Sequence, residues 1–221
     1  GMIHNGLFSL HEGLFAGTIA RWLYFFTGLI GTAMIASGLV LWTTKRKPQQ
    51  LKKPKGPDFG YRLVEQLNIG TLIGLPIAIA MYFYANRLLP LTMADRANWE
   101  AHVMFISWAL LLVYPAFRPK AKAWSEQLNL ATVVFIFMPI LNALTTNKHL
   151  GITLSHGDWQ YAGFDLTMLV IGLTFAFAGV KFKKAQRNKR SQRVNSKGRP
   201  LNINTAVESE LVLNKENRGA L

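Results

Sequence analysis

The side chains in this sequence best suited to hold a transition metal or a haem iron are its five histidines, His4, His11, His102, His149 and His156. Cysteine is absent, which removes disulfides, thiolate metal sites and a cysteine nucleophile. No P-loop, dinucleotide fingerprint or catalytic-triad motif occurs. His102 is the strongest single candidate. It follows Trp99 by three residues, one helical turn, at the edge of a long apolar block. An imidazole at that depth needs a partner. Two readings stay open for it: an iron ligand, or a hydrogen bond to a neighbouring helix. Glu100 lies two residues earlier on a different helical face and does not serve as its partner. His11 sits in LHEGLFAG, with no metal spacing of its own. A continuous helix would carry it about 16 Å beyond Trp22, so sharing an iron with His102 requires the segment before Gly17 to fold back. His149 and His156 are seven residues apart, too loose to diagnose a site. Histidine is also well tolerated at membrane interfaces, which is the plain alternative for all five.

The elements that must position these residues are apolar blocks of membrane-spanning length. Residues 19–42 read IARWLYFFTGLIGTAMIASGLVLW, bracketed by Trp22 and Trp42 and followed by Lys45-Arg46-Lys47. Twenty helical residues rise roughly 30 Å, the thickness of the hydrocarbon core. Tryptophan favours the two interfaces, and a basic cluster after a span stays in the cytoplasm. Four more spans follow at about residues 63–84, 99–117, 128–144 and 161–180. The expected fold is an all-α membrane protein, about five transmembrane helices in a bundle, N-terminus outside and C-terminus cytoplasmic. Pro76 and Pro139 predict kinks. Gly28-Thr32-Ala36, Gly70-Gly74-Ala78 and Gly172-Ala176 make small-residue stripes where helices can approach closely. Asp165, near the outer end of the fifth span, is expected to cap its helix or to pair with Arg87 or Arg96.

This topology divides the chain into an interfacial periplasmic segment (1–18), a five-helix transmembrane domain (19–182) and a basic cytoplasmic tail (183–221). KFKKAQRNKRSQR, running from Lys181 into the tail, is expected as a helical extension, and the remainder of the tail is expected to be disordered. Residues 43–62 and 118–127 are expected as cytoplasmic loops. Of the 25 Lys and Arg, 21 then fall inside; only Arg21, Arg87, Arg96 and Lys148 fall outside. All five histidines fall at the outer face. The same bias accounts for a net charge of +14 and a pI near 10.3 without any nucleic acid as partner. The lipid bilayer is the partner the charge pattern implies, with the tail on anionic headgroups.

Two stretches carry a family resemblance. LHEGLFAGTIARWLYFFTGLIGTAMIASGLVLWTTKRK resembles the late transmembrane segment of PepSY-associated membrane proteins, in which a Leu-His pair and a Leu-Phe-x-Gly turn precede a Gly-rich span ending in Trp and basic residues. YRLVEQLNIGTLIGLPIAIAMYFYANRLLP with WEAHVMFISWALLLVYPAFRP is similar to the C-terminal spans of the same proteins. The resemblance implies a multi-pass protein of the bacterial inner membrane linked to iron uptake. Some relatives look like haem-b reductases of periplasmic ferric-siderophore. By position His11 matches the Leu-His pair, and His102 falls where a span-edge histidine serves as a cofactor ligand. Family members normally begin with a further span and a periplasmic PepSY domain. The sequence looks like the C-terminal half of such a protein, with the other half, or a PepSY-containing subunit, as partner. The leading expectation is therefore part of a haem-b siderophore-iron reductase. The alternatives are a non-catalytic membrane anchor or assembly subunit and, third, a small transporter.

Overall fold

In a computed structural model, residues 17–146 and 150–197 are described. Their regular structure is helical throughout: α1 (Thr18–Leu51), α2 (Phe59–Leu72), α3 (Gly74–Leu88), α4 (Arg96–Val113), α5 (Lys120–Thr145), the short α6 (Leu150–His156) and α7 (Trp159–Lys197), with a 3₁₀ turn, Tyr114–Ala116, after α4. Five units are long and apolar enough to cross a membrane: α1, α2 with α3 (Phe59–Leu88), α4 with its 3₁₀ turn (Arg96–Ala116), α5, and Tyr161–Lys189 of α7. The protein is an all-α, multi-pass membrane protein.

Helix continues where sequence reading expects loops. Helix α1 runs through Lys45-Arg46-Lys47 and Pro48 to Leu51. Helix α5 starts at Lys120, directly after Pro119. Charge marks where a helix leaves the apolar zone; it does not break backbone hydrogen bonds. The extension after residue 180 is helical, and α7 spans 39 residues, about 58 Å. In the second span the helix breaks at Ile73 (φ −113°), three residues before Pro76, which cannot donate to Leu72 and crowds that carbonyl. Pro139 lies inside an unbroken α5.

Helices α3, α5 and α7 form the core through Ile73, Ile77, Ala80, Leu128, Ala131, Phe135, Met138 and Met168. Close approach depends on glycine. A Cβ on Gly70 would stand 2.7 Å from the Leu112 Cα, and one on Gly172 would stand 2.7 Å from Ile136 Cγ1. Lipid offers apolar side chains as good a home as protein does, so polar bonds between helices carry much of the specificity. Pro115 has no N–H to give the Leu111 carbonyl one turn earlier. Gln127, 1% exposed, donates Nε2 to it at 2.8 Å instead. Gln66 donates to the Leu112 carbonyl (3.0 Å), Trp108 to Gly70 (3.2 Å) and Tyr84 to Val134 (2.9 Å).

Helix α1 stands apart. None of its apolar span is buried, and nothing lies within 4 Å of a Cβ built on Gly28, so its small-residue stripe meets no helix of the described chain at that position. It touches α2 near its C-terminal end, where Tyr61 donates to the Thr43 carbonyl (3.0 Å), Asn68 to the Leu39 carbonyl (3.3 Å), and Lys47 pairs with Glu65 (3.1 Å). The same end of the bundle holds Lys120 on the Pro115 carbonyl and Gln186 of α7 on the Ala121 carbonyl. The basic segments thus gather at one end, hereafter the basic end.

Candidate functional site

The opposite end carries the polar side chains that the core does not need for packing. It forms where α3 ends, α4 begins, α5 ends and α7 begins. Two clusters meet there. In the first, Glu100 is 5% exposed and accepts Asn86 Nδ2 at 3.0 Å. Arg96, one turn earlier on α4, places Nε 3.3 Å from the same oxygen, close enough to pair charge although its N–H is not aligned for a hydrogen bond. Arg96 also donates to the Asn86 carbonyl. These contacts staple the loop between α3 and α4. The loop turns through Asp95 at φ 54°, a left-handed conformation that short polar residues tolerate best.

In the second cluster, Asp165 of α7 is fully buried, and its Oδ1 accepts Asn142 Nδ2 of α5 at 2.6 Å. Neither capping nor pairing with Arg87 or Arg96 occurs among these contacts: Arg96 is engaged with Glu100. Asp165 Oδ2 and Asn142 Oδ1 are both buried without a hydrogen-bond partner among the described residues. A cavity of about 350 Å³ adjoins Asn142, lined by Phe83, Asn86, Arg87, Met138, Asn142, Thr146, Tyr161 and Phe164, with Asp165 behind Asn142. Its walls are mainly apolar, and Arg87 is exposed.

His102 lies at this end as well, on a different surface. Its ring is exposed on α4, 5.7 Å from the Trp99 ring, and Nδ1 lies 2.6 Å from the Asn98 carbonyl. A carbonyl only accepts, so this contact is a hydrogen bond when the proton sits on Nδ1, leaving the Nε2 lone pair facing outward. Backbone anchoring of Nδ1 is the usual arrangement behind an imidazole that ligates through Nε2. Among the described residues that line the cavity there is no histidine. Among the described residues no group of three or more His, Asp or Glu is arranged to hold a metal. His102 offers one imidazole ligand, so a haem held here would need its second ligand from another element or from residues outside those described. His4, His11 and His149 lie outside the described residues, as does the side chain of His156.

Sequence reading singled out Asp165 and Glu100 but passed over Asn86 and Asn142. A search for ionisable groups misses uncharged amides. The available signal was an asparagine inside an apolar run, three residues after Pro139, since any polar side chain at that depth needs a partner.

Residues 1–45 match the family model described as PepSY-associated TM region. This is 45 of 221 residues, covering nearly all of the first of the two stretches on which the resemblance rests, and most of α1. No curated protein and no solved structure matches the chain.

Proposed function

We propose that this chain is the membrane part of an electron-transfer protein of bacterial iron uptake. Its basic end would face the cytoplasm and its opposite end the periplasm, following the positive-inside rule. His102 would be one of the residues holding the iron of a b-type haem, with the second ligand coming from His11 or from a PepSY-containing partner segment or subunit. The observation that carries this reading is the His102 ring itself, with Nδ1 anchored on Asn98 and Nε2 free on an exposed surface at the end opposite the basic one. The match over residues 1–45 supports it from the sequence side. When bound, a haem supplies one-electron chemistry toward an outer ferric-siderophore. The chain's own part is to orient an imidazole at the membrane edge and to surround the route with low-dielectric helix.

The test is the reduced-minus-oxidised absorbance spectrum of the purified chain, alone and co-expressed with a PepSY-containing partner, beside His102→Ala and His11→Ala. The reading expects a b-type band that is lost in His102→Ala. A full band in His102→Ala, or no band in any preparation including the partnered one, overturns it. A second reading, a non-catalytic anchor that assembles a partner, is favoured by the unburied α1. It expects the partner to co-purify without haem.

A further inference from the structure

We propose that the cavity between α3, α5 and α7 is a headgroup site for an aminophospholipid, a lipid whose head carries a primary ammonium beside a phosphate. The site is independent of the haem reading, because none of the described residues that line it is a histidine. Its depth is right for a headgroup. Helix α3 ends at Leu88, α5 ends at Thr145, and α7 begins at Trp159, so the lining residues Arg87, Asn142, Thr146 and Tyr161 sit at the ends of spans rather than at mid-membrane.

The buried groups specify the chemistry. Asn142 lines the cavity and is only 3% exposed. Its Nδ2 is committed to Asp165 Oδ1, which leaves its Oδ1 without a partner. Behind it, fully buried Asp165 keeps a second oxygen without a partner. Buried oxygens of this kind are nearly always hydrogen-bonded in folded proteins. Two adjacent orphan acceptors, one of them on an acidic side chain, call for a ligand that brings several N–H donors and positive charge. An ammonium has three donors and no acceptor. Farther out, Arg87 is exposed, lines the same cavity and makes no ion pair among the described residues. Its guanidinium suits a phosphate. Phe83, Met138 and Phe164 wall the cavity with apolar surface for the glycerol and the first acyl carbons. An ammonium inside, a phosphate at the mouth and hydrocarbon alongside describe an ethanolamine phospholipid. A choline head has no N–H to offer, and a glycerol head has no cation.

The experiment uses the full chain, delipidated in detergent and offered phosphatidylethanolamine, phosphatidylcholine and phosphatidylglycerol of identical acyl composition, with retention read by native mass spectrometry. Phosphatidylethanolamine should be retained about tenfold better than either of the others, the scale of one charge-assisted hydrogen bond. Arg87→Gln should lower its retention several-fold, and Asn142→Ala should remove the preference over phosphatidylcholine. Asn142→Ala strips Asp165 of its partner and can unfold the bundle. Arg87→Gln alters an exposed side chain and keeps the test decisive. Equal retention of the ethanolamine and choline lipids, a preference for the glycerol lipid, or unchanged ethanolamine-lipid retention in Arg87→Gln overturns the proposal.

Discussion

Pro115 deprives the Leu111 carbonyl of its helical donor, and Gln127 reaches across from α5 to replace it at 2.8 Å. Changing Gln127 to Leu removes that donor and leaves the half-buried Leu111 carbonyl without it. Interhelical side-chain hydrogen bonds in membranes are worth about 0.6 kcal/mol on average and up to about 1.7 kcal/mol. An orphaned acceptor adds to the loss, roughly 1–3 kcal/mol in all. One term opposes it: Gln127 Oε1 is itself buried without a partner, and Leu abolishes that defect too. The net expectation is a destabilisation of about 1 kcal/mol. Pro115→Ala restores a backbone N–H that can bond Leu111 along the helix, so the same Gln127→Leu change should then cost close to nothing. The two substitutions form a double-mutant cycle with an expected coupling of about 1 kcal/mol, outside the usual additivity error of about 0.3–0.5 kcal/mol. The assay is reversible unfolding in mixed micelles, followed by helical ellipticity against denaturing detergent. Strict additivity would refute the claim that Gln127 substitutes for the missing proline N–H.

Three further outcomes follow from the same contacts. Gly70→Ala should destabilise by about 1–3 kcal/mol because its Cβ meets the Leu112 backbone at 2.7 Å, whereas Gly28→Ala, with open space around it, should leave the unfolding midpoint unchanged. Arg96→Leu should cost about 3–5 kcal/mol in the same assay, since Glu100 is 5% exposed and would lose the guanidinium beside it, and Glu100→Gln in the same chain should recover much of the loss. Between α1 and α2, the hydrogen bond from Lys53, then that involving Gln50, holds the Asp58 carboxyl below its usual value. Its folded value is lowered, so the contact is present above the ordinary carboxylate range and is lost as pH falls through the lowered value. Amide protection factors over residues 50–58 should fall in that acid window and stay constant from neutral pH upward.

The spans were legible because their signal is thermodynamic: a backbone in hydrocarbon must satisfy its own hydrogen bonds, so an apolar run of sufficient length becomes helix whatever its neighbours do. Their ends were less legible. Residues 43–51 read as loop from their charge, yet α1 continues through them, because lysine and arginine are good helix formers once out of the membrane. The small-residue stripes announced a capacity for close approach but not a partner. Gly70 and Gly172 found one in this chain, and Gly28 did not. At the opposite end, Asp165 was conspicuous as an acid in an apolar run. Its partner Asn142 lies 23 positions away on another helix, and only the packing of α5 on α7 brings them together.

That packing also sets α1 apart from the rest. Four spans make a body whose contacts include glycine-dependent approaches and cross-helix hydrogen bonds. Helix α1 is tied to the body at the basic end, through Thr43, Leu39 and Lys47. Farther along, Ile30 is 66% and Met34 is 70% exposed. In water such exposure would drive the helix onto the body. In a bilayer it does not, because lipid tails solvate these side chains as well as protein would, and the free energy gained by docking must come from close packing or polar bonds. The exposed part of α1 offers the first through Gly28, Thr32 and Ala36, and its hydroxyls are already turned inward: Thr27 and Thr32 bond to carbonyls of their own helix. A surface with small residues outward and its polar groups self-satisfied is suited to a close helix–helix contact that needs no new hydrogen bonds. Of the residues 1–45 that match the family model, the described ones, 17–45, are also the described part of the chain least committed to the bundle.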